Sequence, residues 1–301
     1  MFSGGGLNGA AQAGMAHELL SAGVVPDAIV GVSAGALNGI YLGSTPLEHA
    51  GSGLIQIWQA IATGGIYDAG SPKRLWAVIR QHDSLDPGTK LAEIIRDNCP
   101  VDDISECLIP TLVGTLNLST GLTVWHDKGL AVPRLMASAA IPGVFPPVLI
   151  GSDRHVDGGV TSPVPINAAL TLEPTTLIIM DVTMLDDPPG TSEPGSGPPP
   201  SSALGVLLAG FEAARRSVTH NEYAAIPPHV RQVVIRAGLR GALAADGALK
   251  IPAIIEHGRR AARRVLLDHP DIANHPPILQ QDPPSRRPPH TESRHPRRSA
   301  H

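Results

Sequence analysis

Apolar positions along the chain follow two patterns, and the two patterns alternate. Short continuous apolar runs predict buried strands at 28–30, 109–116, 122–125, 148–151, 154–156, 176–182 and 229–236. Apolar positions three to four residues apart predict helices at 10–22, 36–42, 46–62, 73–81, 87–98, 134–140, 165–172, 204–225 and 251–268. Because strands alternate with helices, the sequence predicts an α/β fold with a largely parallel central sheet. Reactive groups in such sheets gather where the strands end.

Two stretches depart from this alternation. Residues 186–203 are mostly Pro, Gly and Ser, which predicts a flexible surface loop. From residue 270 onward Pro, His and Arg dominate, which predicts a disordered tail over 270–301. We therefore expect one domain, residues 1–269, followed by the tail. Five Arg against three acidic residues give the tail a net charge of about +2, so it could contact an anionic membrane surface, although such tails are usually only solvated.

Composition narrows the classes of function. With 42% hydrophobic and 17% charged residues, the 301-residue chain can bury a large core. A net charge of −4 and an aromatic content of 3% argue against a nucleic-acid partner. Cys99 and Cys107 have neither metal-site nor disulfide spacing. Since the sequence shows no secretory leader and no apolar run of about 18 residues, we expect a cytoplasmic protein, at most peripheral at the membrane.

A candidate nucleophile follows the predicted strand 28–30. Gly31-Val32-Ser33-Ala34-Gly35 fits the pattern G-x-S-x-G and leads directly into a predicted helix. A serine on such a turn projects its hydroxyl out of the backbone, and the helix N-terminus favours developing negative charge. The pattern alone is weak, because a chain with 32 glycines can produce it by chance. A tight glycine turn with a capping serine is the alternative interpretation.

A glycine cluster near the N-terminus, Gly4-Gly5-Gly6-Leu7-Asn8-Gly9, supports two interpretations. It could bind a dinucleotide, which requires an acidic residue at the end of the next strand. Asp27 precedes that strand instead of ending it, so we favour the second interpretation, in which backbone N–H groups stabilise an oxyanion. Only Met1 and Phe2 precede the glycines, so the predicted first strand is shorter than the usual five residues or so.

Four motifs occur in the same order as in a known family. They are Gly4-Gly5-Gly6-Leu7-Asn8-Gly9, Gly31-Val32-Ser33-Ala34-Gly35, Ala137-Ser138-Ala139-Ala140-Ile141-Pro142-Gly143-Val144-Phe145-Pro146-Pro147 and Asp157-Gly158-Gly159. On these motifs the chain resembles the patatin-like phospholipase family over roughly residues 3–183. The resemblance implies a three-layer sandwich in which helices flank the central sheet, and an activity that hydrolyses acyl esters of phospholipids or lysophospholipids.

The resemblance also implies a Ser–Asp dyad. Ser33 would be the nucleophile and Asp157 the base, and the oxyanion hole would be formed by the glycine loop together with one helix amide, namely Gly4, Gly5, Gly6 and Ala34. A carboxylate can act as the base if partial burial raises its pKa towards neutrality. His155 lies two residues before Asp157 and hence on the same strand face, so a triad through His155 is an alternative. No metal or cofactor is implied.

The sequence departs from the family at Asn8, where the glycine loop usually carries Arg or Lys. Three hypotheses are open, and Asn8 and the short first strand motivate the last of them. The protein could be a phospholipase or lysophospholipase, a soluble carboxylesterase of small acyl esters on the same dyad, or a catalytically weak lipid-binding or regulatory protein. The sequence predicts neither the acyl chain length nor the oligomeric state.

Overall fold

A computed structural model of the chain describes residues 1–63, 88–185, 203–238 and 250–282. The predicted helix at 73–81, the predicted loop up to residue 202 and residues 283–301 lie outside the described residues. The other predicted helices and strands are present, with boundaries that differ by a few residues. The final long helix has the predicted boundaries, Ile251–Asp268.

The described helices begin with Gly9–Ser21 (α1), Ala34–Ser44 (α2), Leu47–Thr63 (α3) and Thr89–Asn98 (α4). They continue with Ala131–Ser138 (α5), Ile166–Leu170 (α6), Ala203–Ala224 (α7) and Ile251–Asp268 (α8). The strands are Ile29–Val32 (β1), Thr111–Asn117 (β2), Thr123–His126 (β3), Val148–Ile150 (β4), Asp153–Asp157 (β5), Thr176–Leu185 (β6) and Arg231–Gly238 (β7).

The N-terminal residues join two halves of a mixed sheet. Strand β1 is parallel to β2, and β6 is parallel to β7. Phe2 lies between these pairs, because it forms parallel bridges to Gly31 on one side and to Met180 on the other. The Phe2 N–H donates to the Val30 carbonyl at 2.8 Å, and its side chain is 2% exposed. The short first strand predicted from the sequence therefore lies at the centre of the sheet.

The other end of the sheet is antiparallel. Strand β2 pairs with both β3 and β5, and β5 pairs with β4. Within β2, Val113 pairs with β1 and β3, whereas Thr115 pairs with β3 and β5. A strand can pair with neighbours on only two sides, and β3 occupies one side of β2. Strands β1 and β5 therefore both lie along the other side. They run in opposite directions, so their carboxyl ends meet next to Gly114 and Thr115.

Helices cover both faces of the sheet and bury separate apolar cores. On one face, Ile29 belongs to a core formed with α1, α3 and α8, and Val113 belongs to a neighbouring core formed with α2, α4 and α5. On the opposite face, Val30 packs with residues of α6 and with Ile226, just after α7. The three-layer α/β arrangement expected from the sequence is therefore confirmed. None of the described helices is both long enough and apolar enough to cross a membrane.

Residues 270–282, which follow the predicted domain boundary at residue 269, pack against the rest of the described chain. Ile272 is 8% exposed, and Asn274 exchanges two hydrogen bonds with the backbone of Val25. Further along, Gln280 accepts hydrogen bonds from the Gly51 and Ser52 N–H groups of α3. The Pro-rich composition indicated disorder. The side chains of Asn274 and Gln280, however, hydrogen-bond to the backbone of Val25 and of α3 and hold the segment in place. These contacts fix residues 274–280 beside Val25 and α3.

We expect Phe2→Ala to lower the free energy of unfolding by about 3–5 kcal/mol, the usual cost of truncating a buried aromatic side chain. The loss should appear as a lower midpoint in urea denaturation. Leu149→Ala is the control, because the Leu149 side chain is 64% exposed and its truncation should change the free energy by no more than about 0.5 kcal/mol. Equal midpoints for both variants would show that Phe2 does not hold the sheet together.

Candidate active site

Ser33 lies on a sharp turn between β1 and α2 and has an unusual backbone conformation. Its φ of 57° and ψ of −130° are strained for a residue with a Cβ atom. The flanking glycines allow this turn. A Cβ atom on Gly31 would clash with the Gly35 carbonyl, and one on Gly35 would lie 2.5 Å from the carbonyl oxygens of Phe2 and Ser3. The G-x-S-x-G pattern is therefore a packing requirement of this turn.

Ser138 anchors the strained turn. The Ser33 N–H donates to the Ser138 hydroxyl at 2.9 Å, and that hydroxyl donates to the Gly114 carbonyl at 2.7 Å. Ser138 is 0% exposed and lies at the last residue of α5. One side chain thus ties the nucleophile turn to strand β2, at the position where β1 ends.

Asp157 is in direct contact with Ser33. The Ser33 hydroxyl donates to Asp157 Oδ2 at 2.6 Å, and the Gly159 N–H donates to the other carboxylate oxygen at 2.7 Å. Ser33 and Asp157 are each 6% exposed. A Cβ atom on Gly158 would lie 2.7 Å from the Gly114 carbonyl oxygen, so the glycine lets the Asp157 loop approach β2. The structure thus brings together the two residues that the motifs singled out.

The environment of Asp157 makes it more basic than an ordinary carboxylate. Burial raises the pKa of Asp157 to about 6, while the Ser33 hydroxyl, the Gly159 N–H and the charge of Arg215 act in the opposite direction. Near neutral pH the group is therefore ionised and still able to accept a proton. This is the property that the sequence analysis required of a carboxylate base.

His155 does not take the position of a triad histidine. Its Nδ1 atom is 2.9 Å from the Thr115 hydroxyl, which also lies 2.8 Å from Nε2 of His126. Burial lowers the pKa of His155, and it lowers the pKa of His126 to about 4. The hydroxyl of Ser33 faces Asp157 instead, so the alternative triad through His155 is not formed.

The glycine loop packs against the Ser33 turn. A Cβ atom on Gly4 would lie 3.3 Å from the Ser33 Cβ atom, and one on Gly5 would lie 2.5 Å from a methyl group of Val182. Gly6 has a φ of 54°, which glycine adopts without strain. The Gly4 N–H donates to the Pro163 carbonyl at 2.9 Å, so it is already engaged.

The Ala34 N–H lies in the first turn of α2, where N–H groups have no partner within their own helix. The other two amides of the predicted oxyanion hole belong to Gly5 and Gly6, at the tip of the glycine loop. Asn8, which replaces the basic residue of the family pattern, is 8% exposed and immediately precedes α1.

An apolar cavity opens beside Ser33. It encloses about 500 Å³, including open space at its mouth. Its lining consists of Gly6, Ser33, Ala34, Leu37, Trp58, Ile61, Leu91, Ile94, Ala139, Ile141 and Phe145. The Trp58 indole N–H donates to Asn38 at 2.9 Å, which fixes one wall. Such a lining suits an apolar chain attached to a group that reacts at Ser33.

Two residues of the site were missed by the sequence analysis. Ser138 stood inside one of the quoted motifs, where a buried polar residue among alanines was the available signal. Arg215, on α7, donates from Nε to the Gly159 carbonyl at 2.9 Å, and nothing in its local sequence indicated this contact. Among the residues that the structure describes, no cluster of three or more His, Cys, Asp or Glu side chains could hold a metal ion.

The fold and the Ser–Asp contact define an α/β protein with the geometry of a serine hydrolase. The family model described as patatin-like phospholipase matches residues 1–170, which is more than half of the chain. The chain therefore belongs to the patatin-like phospholipase family, whose members act as lipid acyl hydrolases. The resemblance noted from the four motifs is confirmed.

The relatives of this chain include longer proteins. An uncharacterized NTE family protein of Mycobacterium tuberculosis is 27% identical over 301 residues, covering 90% of this chain and 47% of the relative. A patatin-like phospholipase domain-containing protein of Caenorhabditis elegans is 26% identical over 193 residues, covering 62% of this chain and 17% of the relative. This chain thus spans about half the length of the mycobacterial relative.

We expect Asp157→Asn to be more stable than the wild type at pH 7.5. The pKa of Asp157 is raised in the folded state, so the native protein binds its proton more tightly than the unfolded chain. This contribution to stability is complete below about pH 4 and is lost as the pH rises through about 6. The asparagine carries no ionisable group, so the variant does not lose this stability as the pH rises. The difference in the free energy of unfolding between the variant and the wild type should therefore grow to about 2–3 kcal/mol at neutral pH.

Asp153→Asn is the matched control on the same strand. Hydrogen bonds from Asn117 and Ser119 lower the pKa of Asp153, so its contribution to stability has the opposite pH dependence. Urea denaturation at several pH values should give differences of opposite sign for the two variants. A constant difference between Asp157→Asn and the wild type from pH 4 to 7.5 would contradict the perturbed pKa.

Proposed function

We propose that the protein is a serine acyl hydrolase that cleaves acyl esters of phospholipids or lysophospholipids. The observation that carries the proposal is the 2.6 Å hydrogen bond from the Ser33 hydroxyl to a buried Asp157 carboxylate. A serine hydroxyl is a weak nucleophile until a neighbouring base takes its proton. Asp157 is positioned to be that base.

In the first half of the reaction, Ser33 Oγ attacks the ester carbonyl carbon while Asp157 Oδ2 takes the hydroxyl proton. The carbonyl oxygen becomes an oxyanion, and the N–H groups of Gly5, Gly6 and Ala34 are the proposed donors. Gly4 supports the loop instead, since its N–H is engaged by Pro163. Collapse of the intermediate breaks the ester C–O bond, and the departing alcohol oxygen receives the proton from Asp157.

In the second half, water hydrolyses the acyl-enzyme. Asp157 takes a proton from the water as its oxygen attacks the acyl carbon, and the same amides stabilise the second oxyanion. The bond to Ser33 Oγ then breaks, and Asp157 returns its proton to the serine. The fatty acid leaves, and the enzyme is ready for another cycle.

The cavity beside Ser33 supports a fatty acyl chain as the part of the substrate that is bound. Apart from Ser33, the side chains that line it are apolar. The match to the family model described as patatin-like phospholipase points to lipid substrates as well. A lipid substrate implies that the protein works at the surface of a membrane or micelle, and its headgroup would extend away from the cavity.

We expect a fluorophosphonate probe to label the wild type and not Ser33→Ala. Hydrolysis of lysophospholipid should fall at least about 10³-fold in Ser33→Ala, because the nucleophile is absent. It should fall about 10²–10⁴-fold in Asp157→Asn, because the base is absent. Ser105→Ala, an exposed serine in a turn, is the control and should retain both labelling and hydrolysis. Wild-type turnover in either site variant would contradict the dyad.

The pH dependence and the substrate form separate the remaining alternatives. We expect kcat/KM to rise with pH through an acid limb near pH 6, because Asp157 must be ionised to accept a proton. A lysophospholipid should show a rise in rate at its micelle threshold, whereas a soluble carboxylesterase would prefer short monomeric esters. Lipid binding without probe labelling would indicate a regulatory protein.

A further inference from the structure

Helix α7 contacts the segment that follows Asp157 at two places. Arg215 and Glu222 are seven residues apart, and this spacing puts them on the same face of the helix. Arg215 Nε donates to the Gly159 carbonyl at 2.9 Å. Glu222 Oε1 accepts a hydrogen bond from the Ser162 hydroxyl at 2.7 Å.

Glu222 is an unusual residue at a helix–loop contact. It is 3% exposed, and among the described residues its Oε2 atom has no hydrogen-bond partner. Burial raises the pKa of Glu222 to about 7. The Ser162 hydroxyl and the backbone N–H groups of Val164 and Asn167 act in the opposite direction, but burial has the larger effect. A buried and incompletely bonded carboxyl group costs stability, so its presence calls for a role other than stability.

Each of these two contacts lies next to one half of the candidate active site. The Gly159 N–H donates to Asp157, so Arg215 holds the same glycine that orients the base. Pro163, directly after Ser162, accepts the hydrogen bond of the Gly4 N–H. Glu222 therefore holds the segment on which the glycine loop rests.

We propose that Arg215 and Glu222 are positioning residues, which together hold the base Asp157 and the oxyanion loop at Gly4–Gly6 in register with Ser33. This inference rests on the proposed hydrolase activity. Neither residue needs to touch the substrate. Arg215 has a second effect, because its positive charge opposes part of the rise that burial causes in the pKa of Asp157.

The first test compares Arg215→Met, Arg215→Lys and Arg216→Met, using kcat/KM for a short monomeric ester between pH 4.5 and 8. The groups that act on Asp157 are the Ser33 hydroxyl, the Gly159 N–H and Arg215. Arg215→Met should therefore move the acid limb to higher pH and lower kcat by about 10- to 100-fold. Arg215→Lys should keep the limb close to that of the wild type. Arg216 is an exposed neighbour on the same helix, and Arg216→Met should change neither quantity.

The second test uses hydrogen exchange, which does not depend on turnover. Glu222→Ala should increase the exchange of the Gly4 amide and of the amides at 158–167, and should lower kcat more than it raises KM. Glu222→Gln keeps one acceptor for Ser162 and should restore part of both effects. If Glu222→Ala does not fold, Ser162→Ala removes the same hydrogen bond from the loop side.

The outcomes separate this inference from the proposed function. If the wild type neither reacts with the fluorophosphonate nor hydrolyses esters, the proposed function fails, and with it any catalytic role of α7. If the wild type is active, either of two results overturns the positioning role. One is an acid limb in Arg215→Met that matches the wild type, and the other is amide exchange in Glu222→Ala that matches the wild type. A shifted limb together with faster exchange at Gly4 supports it.

Discussion

The hydrogen bonding along one edge of strand β2 decides where Ser33 and Asp157 lie. Strands β1 and β5 approach this edge from opposite directions and end beside Gly114 and Thr115. Ser33 follows one strand, and Asp157 ends the other. Because both strands pair with the same backbone, the two residues reach hydrogen-bond distance without any flexible connection. Errors in the register of either strand would separate them.

The site combines several features that cost stability. Ser33 has a positive φ, Asp157 is a buried carboxyl group, and Glu222 is a second one with an atom that lacks a hydrogen-bond partner. Each feature costs on the order of 1–3 kcal/mol. The rest of the fold must offset these costs, and the apolar cores on both faces of the sheet are where the offset arises.

Local sequence patterns predicted the elements and singled out Ser33 and Asp157, but they did not predict most contacts between distant parts of the chain. The boundaries of α8 followed from apolar spacing, and the Ser33 turn followed from glycines whose Cβ atoms would clash. The contact between Ser33 and Asp157, 124 residues apart in sequence, was expected because both residues follow predicted strands and because two motifs resembled those of a family. Arg215 and Glu222 gave no local signal, since their roles depend on which loop α7 packs against. The docking of 270–282 also depends on partners that composition does not reveal.

The position of Phe2 has a consequence for how the chain folds. Phe2 joins Gly31 to Met180, which is far away in the sequence, and the Met1 nitrogen donates a hydrogen bond to the Ile178 carbonyl, 177 residues away. Contacts between such distant segments close large loops and form slowly. Before Phe2 pairs with β1 and β6, a strand edge is left unpaired. Its backbone N–H and C=O groups are then exposed to pairing with other chains. Because the central position of the sheet is filled by such a distant contact, partly folded chains expose an unpaired strand edge and can aggregate through it.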